Sequence, residues 1–286
     1  MNELLLHPAT QLRLTDFAAA PAHAVLLIGP AGSGKHSLAT GLSEQVLELA
    51  PRGLANYPYK MIIAADEGKA AIGIEAVREL EHFLSLKVPG RAAHNRAVII
   101  EDAQLLTAEA QNALLKTLEE PPEGTFIVMT VNNEHALLPT IRSRTQTIAV
   151  KRPERTATEA HFQAQNFEPK AVQQAYAISG GLPGLMQALL EEADHPLVLA
   201  TQRARELLSQ PAYERLLAVD ELARQRPLAL DVAFILQQMA RVSLQTATGQ
   251  SAAKWQGILN AGYQAAEALT NSAQPKLALT SLMLSF

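Results

Sequence analysis

The run Gly29-Pro30-Ala31-Gly32-Ser33-Gly34-Lys35 follows the pattern G-x-x-x-x-G-K, which suits phosphate chemistry. Its glycines let successive backbone N–H groups turn inward around an anion, and a helix opening behind them adds a positive end. Lys35 would supply a point charge for the terminal phosphates of ATP or ADP. The next residue is normally Ser or Thr, whose hydroxyl joins the shell of a bound Mg²⁺. Here it is His36, with Ser37 one place on. One residue along a helix rotates the side chain by about 100°, so Ser37 does not simply substitute. An imidazole is also a poor ligand for a hard ion that takes oxygen. The expected nucleotide site is therefore Gly29, Gly32, Gly34, Lys35, His36 and Ser37, better suited to binding ATP or ADP, with Mg²⁺ if bound, than to hydrolysing it.

A second element is Val98-Ile99-Ile100-Glu101-Asp102-Ala103. Such a carboxylate at the end of a strand beside the phosphate loop orders Mg²⁺, and a second one positions the attacking water. The usual order is Asp then Glu. Here Glu101 precedes Asp102, and a methylene of difference at each is enough to spoil an in-line geometry. Both remain catalytic candidates.

Alternating strands and helices must hold these groups. Residues 24–28, 61–64, 97–100, 126–129 and 147–150 are short apolar runs that read as buried parallel strands. Between them, Leu38, Leu42, Val46 and Leu49, and then Ile74, Val77, Leu80, Leu84 and Val88, form helical stripes. The second stripe is expected to stop at Pro89-Gly90. Thr107 is placed to cap a further helix that ends at Pro121-Pro122. Residues 1–150 thus predict a three-layer α/β domain. After Val150 the strand signal vanishes. Residues 151–195 read as a small domain of three short helices, and residues 196–286 as a larger helical domain with breaks near Pro211, Pro227, Thr248-Gly249 and Asn271. The fold class is α/β, then all-α.

Composition narrows the function. The 286 residues are 48% hydrophobic, too apolar for a largely disordered chain. Residues 1–150 carry 12 basic and 16 acidic side chains and residues 151–286 carry 12 of each, so no basic stripe exists for solitary binding of nucleic acid. There is no cysteine, hence no disulfide, thiolate zinc site or cysteine nucleophile. The eight histidines include no i, i+4 pair, so no metal site is expected beyond the nucleotide's own Mg²⁺. Neither a signal peptide nor a membrane span is evident, and a cytoplasmic location is expected.

These segments together resemble the bacterial DNA polymerase III clamp-loader subunits of the AAA+ class, most of all the delta-prime type. They come in the order Gly29–Lys35, Ile72-Gly73-Ile74 leading into Val77–Leu80, Val98–Ala103, Asn112–Pro122 (Asn-Ala-Leu-Leu-Lys-Thr-Leu-Glu-Glu-Pro-Pro) and Leu138–Thr145 (Leu-Pro-Thr-Ile-Arg-Ser-Arg-Thr). The likeness spans about residues 7–195. It implies an AAA+ P-loop domain (1–150), a helical lid (151–195) and a C-terminal helical collar for oligomerisation (196–286). It also implies that Arg144 is an arginine finger for a neighbouring subunit's ATP, although Thr145 stands where the family's Ser-Arg-Cys motif has Cys. A first sensor is implied at Thr130 or Asn132. Where ATP-hydrolysing members have a sensor arginine, Gly180-Gly181-Leu182-Pro183-Gly184 puts Pro183. The family's four-Cys zinc module is missing, so no zinc is expected.

The resemblance implies a delta-prime-like subunit, weak or inactive as an ATPase, that helps load a sliding clamp onto primed DNA. Its implied partners are the gamma/tau and delta subunits, with clamp and DNA met through the assembly. The alternatives are a gamma/tau-like ATPase in which Lys35, Glu101 and Asp102 all work, or an AAA+ subunit of another DNA-processing machine. A small-molecule P-loop kinase would leave the Ser-Arg and Glu-Glu-Pro-Pro segments unexplained.

Overall fold

A computed structural model describes residues 4–66, 71–89, 93–191, 195–270 and 274–286. The chain divides into two compact units, Met1–Pro153 and Glu154–Phe286.

The first unit runs α1 (Pro8–Ala19), β1 (Ala24–Ile28), α2 (Lys35–Val46), β2 (Lys60–Ile63), α3 (Ile74–Ser85), β3 (Arg96–Ile100), α4 (Ala108–Glu119), β4 (Thr125–Val131), α5 (Pro139–Arg142) and β5 (Gln146–Ala149). The five strands form one parallel sheet in the order β2-β3-β4-β1-β5. Successive strand side chains face opposite ways, so the apolar runs of β1, β3 and β4 each feed two cores. Leu26, Val98, Ile100, Ile127 and Met129 pack with Val77 and Leu80 of α3 and Leu114 and Leu118 of α4. On the other face Val25, Leu27, Ile99, Phe126 and Val128 pack with Leu14 and Phe17 of α1 and Leu38 and Leu42 of α2. The expected three layers are present.

The structure departs from or adds to the sequence reading in four places. Helix α1 was not expected, because its inward stripe is only Thr10, Leu14 and Phe17. Thr10 Oγ1 donates to Ala149 O at 3.1 Å and accepts from Lys151 N at 3.0 Å, which fastens α1 to the end of β5. Second, the sheet order, which the sequence reading left open, puts β4 between β1 and the strand ending in Glu101-Asp102, pairing Leu26 with Met129 on one side and Ile99 with Val128 on the other. Third, β2 is an edge strand rather than a buried one, and Ile62 is 46% exposed. Fourth, α3 stops at Ser85, short of Val88. The Arg96 guanidinium donates to Leu84 O at 2.5 Å and Leu86 O at 2.6 Å and lies over the Phe83 ring, so a side chain takes carbonyls that would otherwise continue the helix. Gly90, half of the expected stop, lies outside the described residues.

Two further contacts position the site. Thr107 caps α4 by accepting from Ala110 N, as expected. The amide of buried Gln111 donates to Leu106 O (3.1 Å) and Ala136 O (3.3 Å) and accepts from Leu138 N (2.8 Å). One side chain thereby joins α4 to the segment after Glu101-Asp102 and to the entry of α5.

The second unit contains α6 (Arg155–Ala164), α7 (Pro169–Ser179), α8 (Pro183–Leu190), α9 (Pro196–Ser209), α10 (Ala212–Arg224), α11 (Arg226–Leu244), α12 (Gly249–Thr270) and α13 (Pro275–Met283). Its described residues contain no strand. Pro227, read as a break, sits in the first turn of α11, where a missing N–H costs nothing. The expected break at Asn271 lies outside the described residues. The core centres on α11, with Val232, Ile235, Leu236 and Ala240 fully buried. Gly262 lets α12 approach closely: a Cβ there would stand 2.9 Å from Gln237 Cγ, and Gln237 Nε2 donates to Gly262 O at 2.9 Å. A subdivision at residue 195 does not emerge as a separate unit, because α7 packs on α11 and α8 on α9. No helix among the described residues is long and apolar enough to cross a membrane.

Leu26 is fully buried in the middle of β1, whereas Leu12 on α1 is 62% exposed. Leu26→Ala should lower the unfolding free energy by about 2–5 kcal/mol in urea titrations, and Leu12→Ala by less than about 0.5 kcal/mol.

Candidate nucleotide site

The phosphate loop follows directly from the end of β1. Gly29 N donates to Val131 O at 3.1 Å and Val150 N to Ile28 O at 2.6 Å, so neighbouring strands hold the loop's first residue on both sides. A Cβ on Gly29 would press at 3.1 Å on Ser33 Oγ, Val150 Cβ and Val150 O. Gly32 and Gly34 have φ of 73° and 86°, a left-handed conformation that other residues adopt at a cost. Ser33 N donates back to Pro30 O, and α2 begins at Lys35 with no side-chain cap on its N-terminus. That leaves the first-turn N–H groups available to an anion. Ser33 Oγ is buried and lacks a hydrogen-bond partner.

Lys35 is only 6% exposed. Its ammonium donates to Pro30 O at 3.0 Å and to Asn132 Oδ1 at 2.8 Å. Burial pushes its pKa down to about 8, with the negative charge of Asp102 partly offsetting the shift. An oxyanion in the loop would reverse that shift, since a nearby opposite charge favours the charged form. The two sensor candidates are thereby separated. Asn132 touches the loop lysine, whereas Thr130 is buried and its Oγ1 accepts from Asp102 N at 3.0 Å.

Asp102 itself sits at φ 45°, ψ 52°, at the turn out of β3. Its carboxylate accepts from Gln104 Nε2 at 2.9 Å, and Gln104 Oε1 accepts from Asn132 N at 3.1 Å. Gln104 was missed by the sequence reading. The only signal was a lone polar side chain between Ala103 and Leu105. A hydrogen-bonded chain now runs from Asp102 through Gln104 and Asn132 to Lys35.

The cation half of the site is built differently. His36 Nδ1 lies 2.5 Å from Glu101 Oε1, with the imidazole 63% and the carboxylate 22% exposed. The residue standing for the hydroxyl ligand and the carboxylate standing for the ion's organiser are thus turned on each other. Ser37 lies exposed on α2. This donor set does not fit Mg²⁺, which requires oxygen ligands in near-octahedral array. Arg144 is not among these contacts. Its guanidinium pairs with Glu119 at the end of α4 and donates to Thr140 O at 3.0 Å and Ser143 Oγ at 3.3 Å. In the second unit Pro183 opens α8. Where a zinc module would fall, a short turn over Gly53–Asn56 leads into β2, with Tyr57 Oη donating to Asn95 O at 2.7 Å.

A parallel sheet in this order, with a glycine loop after β1 and an acidic pair after β3, defines a P-loop domain with the AAA+ fold. A solved DNA polymerase III gamma subunit-related protein from Thermotoga maritima has the same fold at a TM-score of 0.52 and 19% identity, covering 96% of this chain and 97% of that one. More particularly, residues 14–154 match the family model described as DNA polymerase III, delta subunit. It is 33% identical over 186 residues to the DNA polymerase III subunit delta' of Pseudomonas aeruginosa, covering 59% of this chain and 56% of that one. To the subunit delta' of Escherichia coli K12 it is 32% identical over 184 residues, covering 59% and 54%. The chain spans about half the length of the curated relatives it matches.

The close side-chain contact with Glu101 is the main cause that raises the His36 pKa above its ordinary 6.5; burial opposes it, and the charges of Glu101 and Asp102 add to it. A raised folded-state value means the pair stabilises the fold fully below about pH 6.5 and loses that contribution as pH climbs through the raised value. NMR titration should find His36 above 6.5. Glu101→Gln should bring it down and flatten this part of the stability–pH curve.

Proposed function

We propose that this chain is a delta-prime-like subunit of a DNA polymerase III clamp loader, weak or inactive as an ATPase, that acts on a neighbouring subunit's nucleotide through Arg144. One observation carries the reading: the phosphate cradle is complete, while His36 and Glu101 are paired with each other where hydrolysis needs an ordered ion. A scaffold kept with its hydrolytic chemistry altered suits a subunit that serves the ring more than itself. The names of the relatives, and the family match over the P-loop unit, support the assignment to this assembly.

In this reading Gly29, Gly32, Gly34, Lys35 and Ser37 border a site for ATP or ADP, with Asn132 as the first sensor and Thr130 as support for Asp102. Arg144 is a planar, permanently charged group suited to charge developing on a transferring phosphoryl group. Its contacts with Glu119 and Thr140 hold it clear of this chain's own loop contacts, as action in trans requires. Residues 151–195 serve as lid and 196–286 as collar, joining gamma/tau and delta subunits. The sliding clamp and primed DNA are met through that cytoplasmic assembly.

A second reading, a gamma/tau-like ATPase, draws on the intact Lys35–Asn132 contact and on Asp102 being tied to the same network. ATPase assays separate the two. The isolated chain should turn over ATP negligibly, and robust Lys35-dependent turnover would select the second reading. In a reconstituted loader, Arg144→Ala should cut DNA-stimulated ATPase by about 10³-fold or more while assembly persists. Unchanged activity would count against the trans role. Copurification with neither clamp nor loader subunits would point to another DNA-processing machine.

A further inference from the structure

The anion and cation halves of the site have diverged. On the anion side, Gly32 and Gly34 hold the loop open in left-handed conformations, α2 presents an N-terminus with no side-chain cap, and Lys35 waits on a carbonyl and an amide oxygen. A Cβ at Gly34 would meet nothing within 4 Å. Ser33, 6% exposed and buried against Gly29 inside the loop, has a hydroxyl without a partner. Each of these features suits a phosphate chain.

On the cation side the two groups that would share an ion touch each other. Two adjacent ligands of an octahedral Mg²⁺, each at about 2.0–2.1 Å, stand roughly 2.9 Å apart. His36 Nδ1 and Glu101 Oε1 are 2.5 Å apart, so no ion fits between them. Seating one would require opening that contact and exchanging a nitrogen donor for oxygen. The neighbouring Asp102 is also engaged, its carboxylate with Gln104 and its N–H with Thr130.

We propose that the loop binds the phosphates of a nucleoside diphosphate without a divalent cation, the His36–Glu101 pair remaining closed in the place of the ion. Lys35, the α2 N-terminus and the loop N–H groups then hold the diphosphate without help from a metal. This concerns the isolated chain and rests on the loop itself. Its failure therefore leaves the assembly reading to be judged on Arg144.

The test is calorimetric titration of the intact chain with ADP, in excess EDTA and in excess Mg²⁺. The expected affinities agree within about twofold, and Lys35→Ala loses binding in both media. His36→Thr, a change at an exposed position that frees Glu101 and restores a hydroxyl, should make binding stronger in Mg²⁺ by about tenfold or more. Circular dichroism checks that both variants fold. The proposal is overturned if Mg²⁺ strengthens wild-type binding about tenfold or more, or if ADP binds in neither medium. Binding that survives Lys35→Ala, or a His36→Thr protein as indifferent to Mg²⁺ as the wild type, would overturn it equally.

Discussion

A buried ammonium has to be answered by something. Lys35 is almost wholly enclosed, and taking such a charge out of water is costly enough that its pKa falls to about 8. Carbonyl Pro30 O and the Asn132 amide offset part of that cost, and Asn132 is held by Gln104, which in turn is held by Asp102. The sheet order makes this chain of contacts short. With β4 lodged between β1 and β3, the ends of all three strands deliver the loop, the amide and the carboxylate to one edge. A lysine so placed is poised for an anion and poorly placed for anything else.

Strong local patterns were legible in the sequence, and relations between distant segments were not. The central strands β1, β3 and β4 stood out because each is an apolar run that both faces of the sheet bury, and the phosphate loop stood out because its glycines have a backbone reason to be there. Helix α1 was invisible because three inward residues, one of them a threonine, make no readable stripe. The premature end of α3 depends on Arg96, which follows it by ten residues or more, and no local signal marks a guanidinium as a helix stop. The position of β4 between β1 and β3 was not legible for a similar reason: strand order is set by crossovers, which periodicity does not encode.

The candidate site divides the same way. The loop residues, His36 and both carboxylates were named from the residue pattern, and Thr130 and Asn132 from the family resemblance. Their pairing was not, since nothing in a string of letters says that His36 turns toward Glu101 or that Asn132, rather than Thr130, meets the lysine. Gln104 escaped altogether. Its work is to bridge two segments, and its identity has meaning only once those segments are adjacent.

Gln111 has a mechanical consequence. A single amide spends three hydrogen bonds on three different stretches of backbone, at Leu106, Ala136 and Leu138. Helix α4 also carries Glu119, which grips Arg144 from its far end. The turn after the acidic pair, the approach to α5 and the guanidinium are consequently all tied to α4. Because helix α4 touches the turn after the acidic pair, the approach to α5 and the Arg144 guanidinium, a change in its length or register would be met at all three.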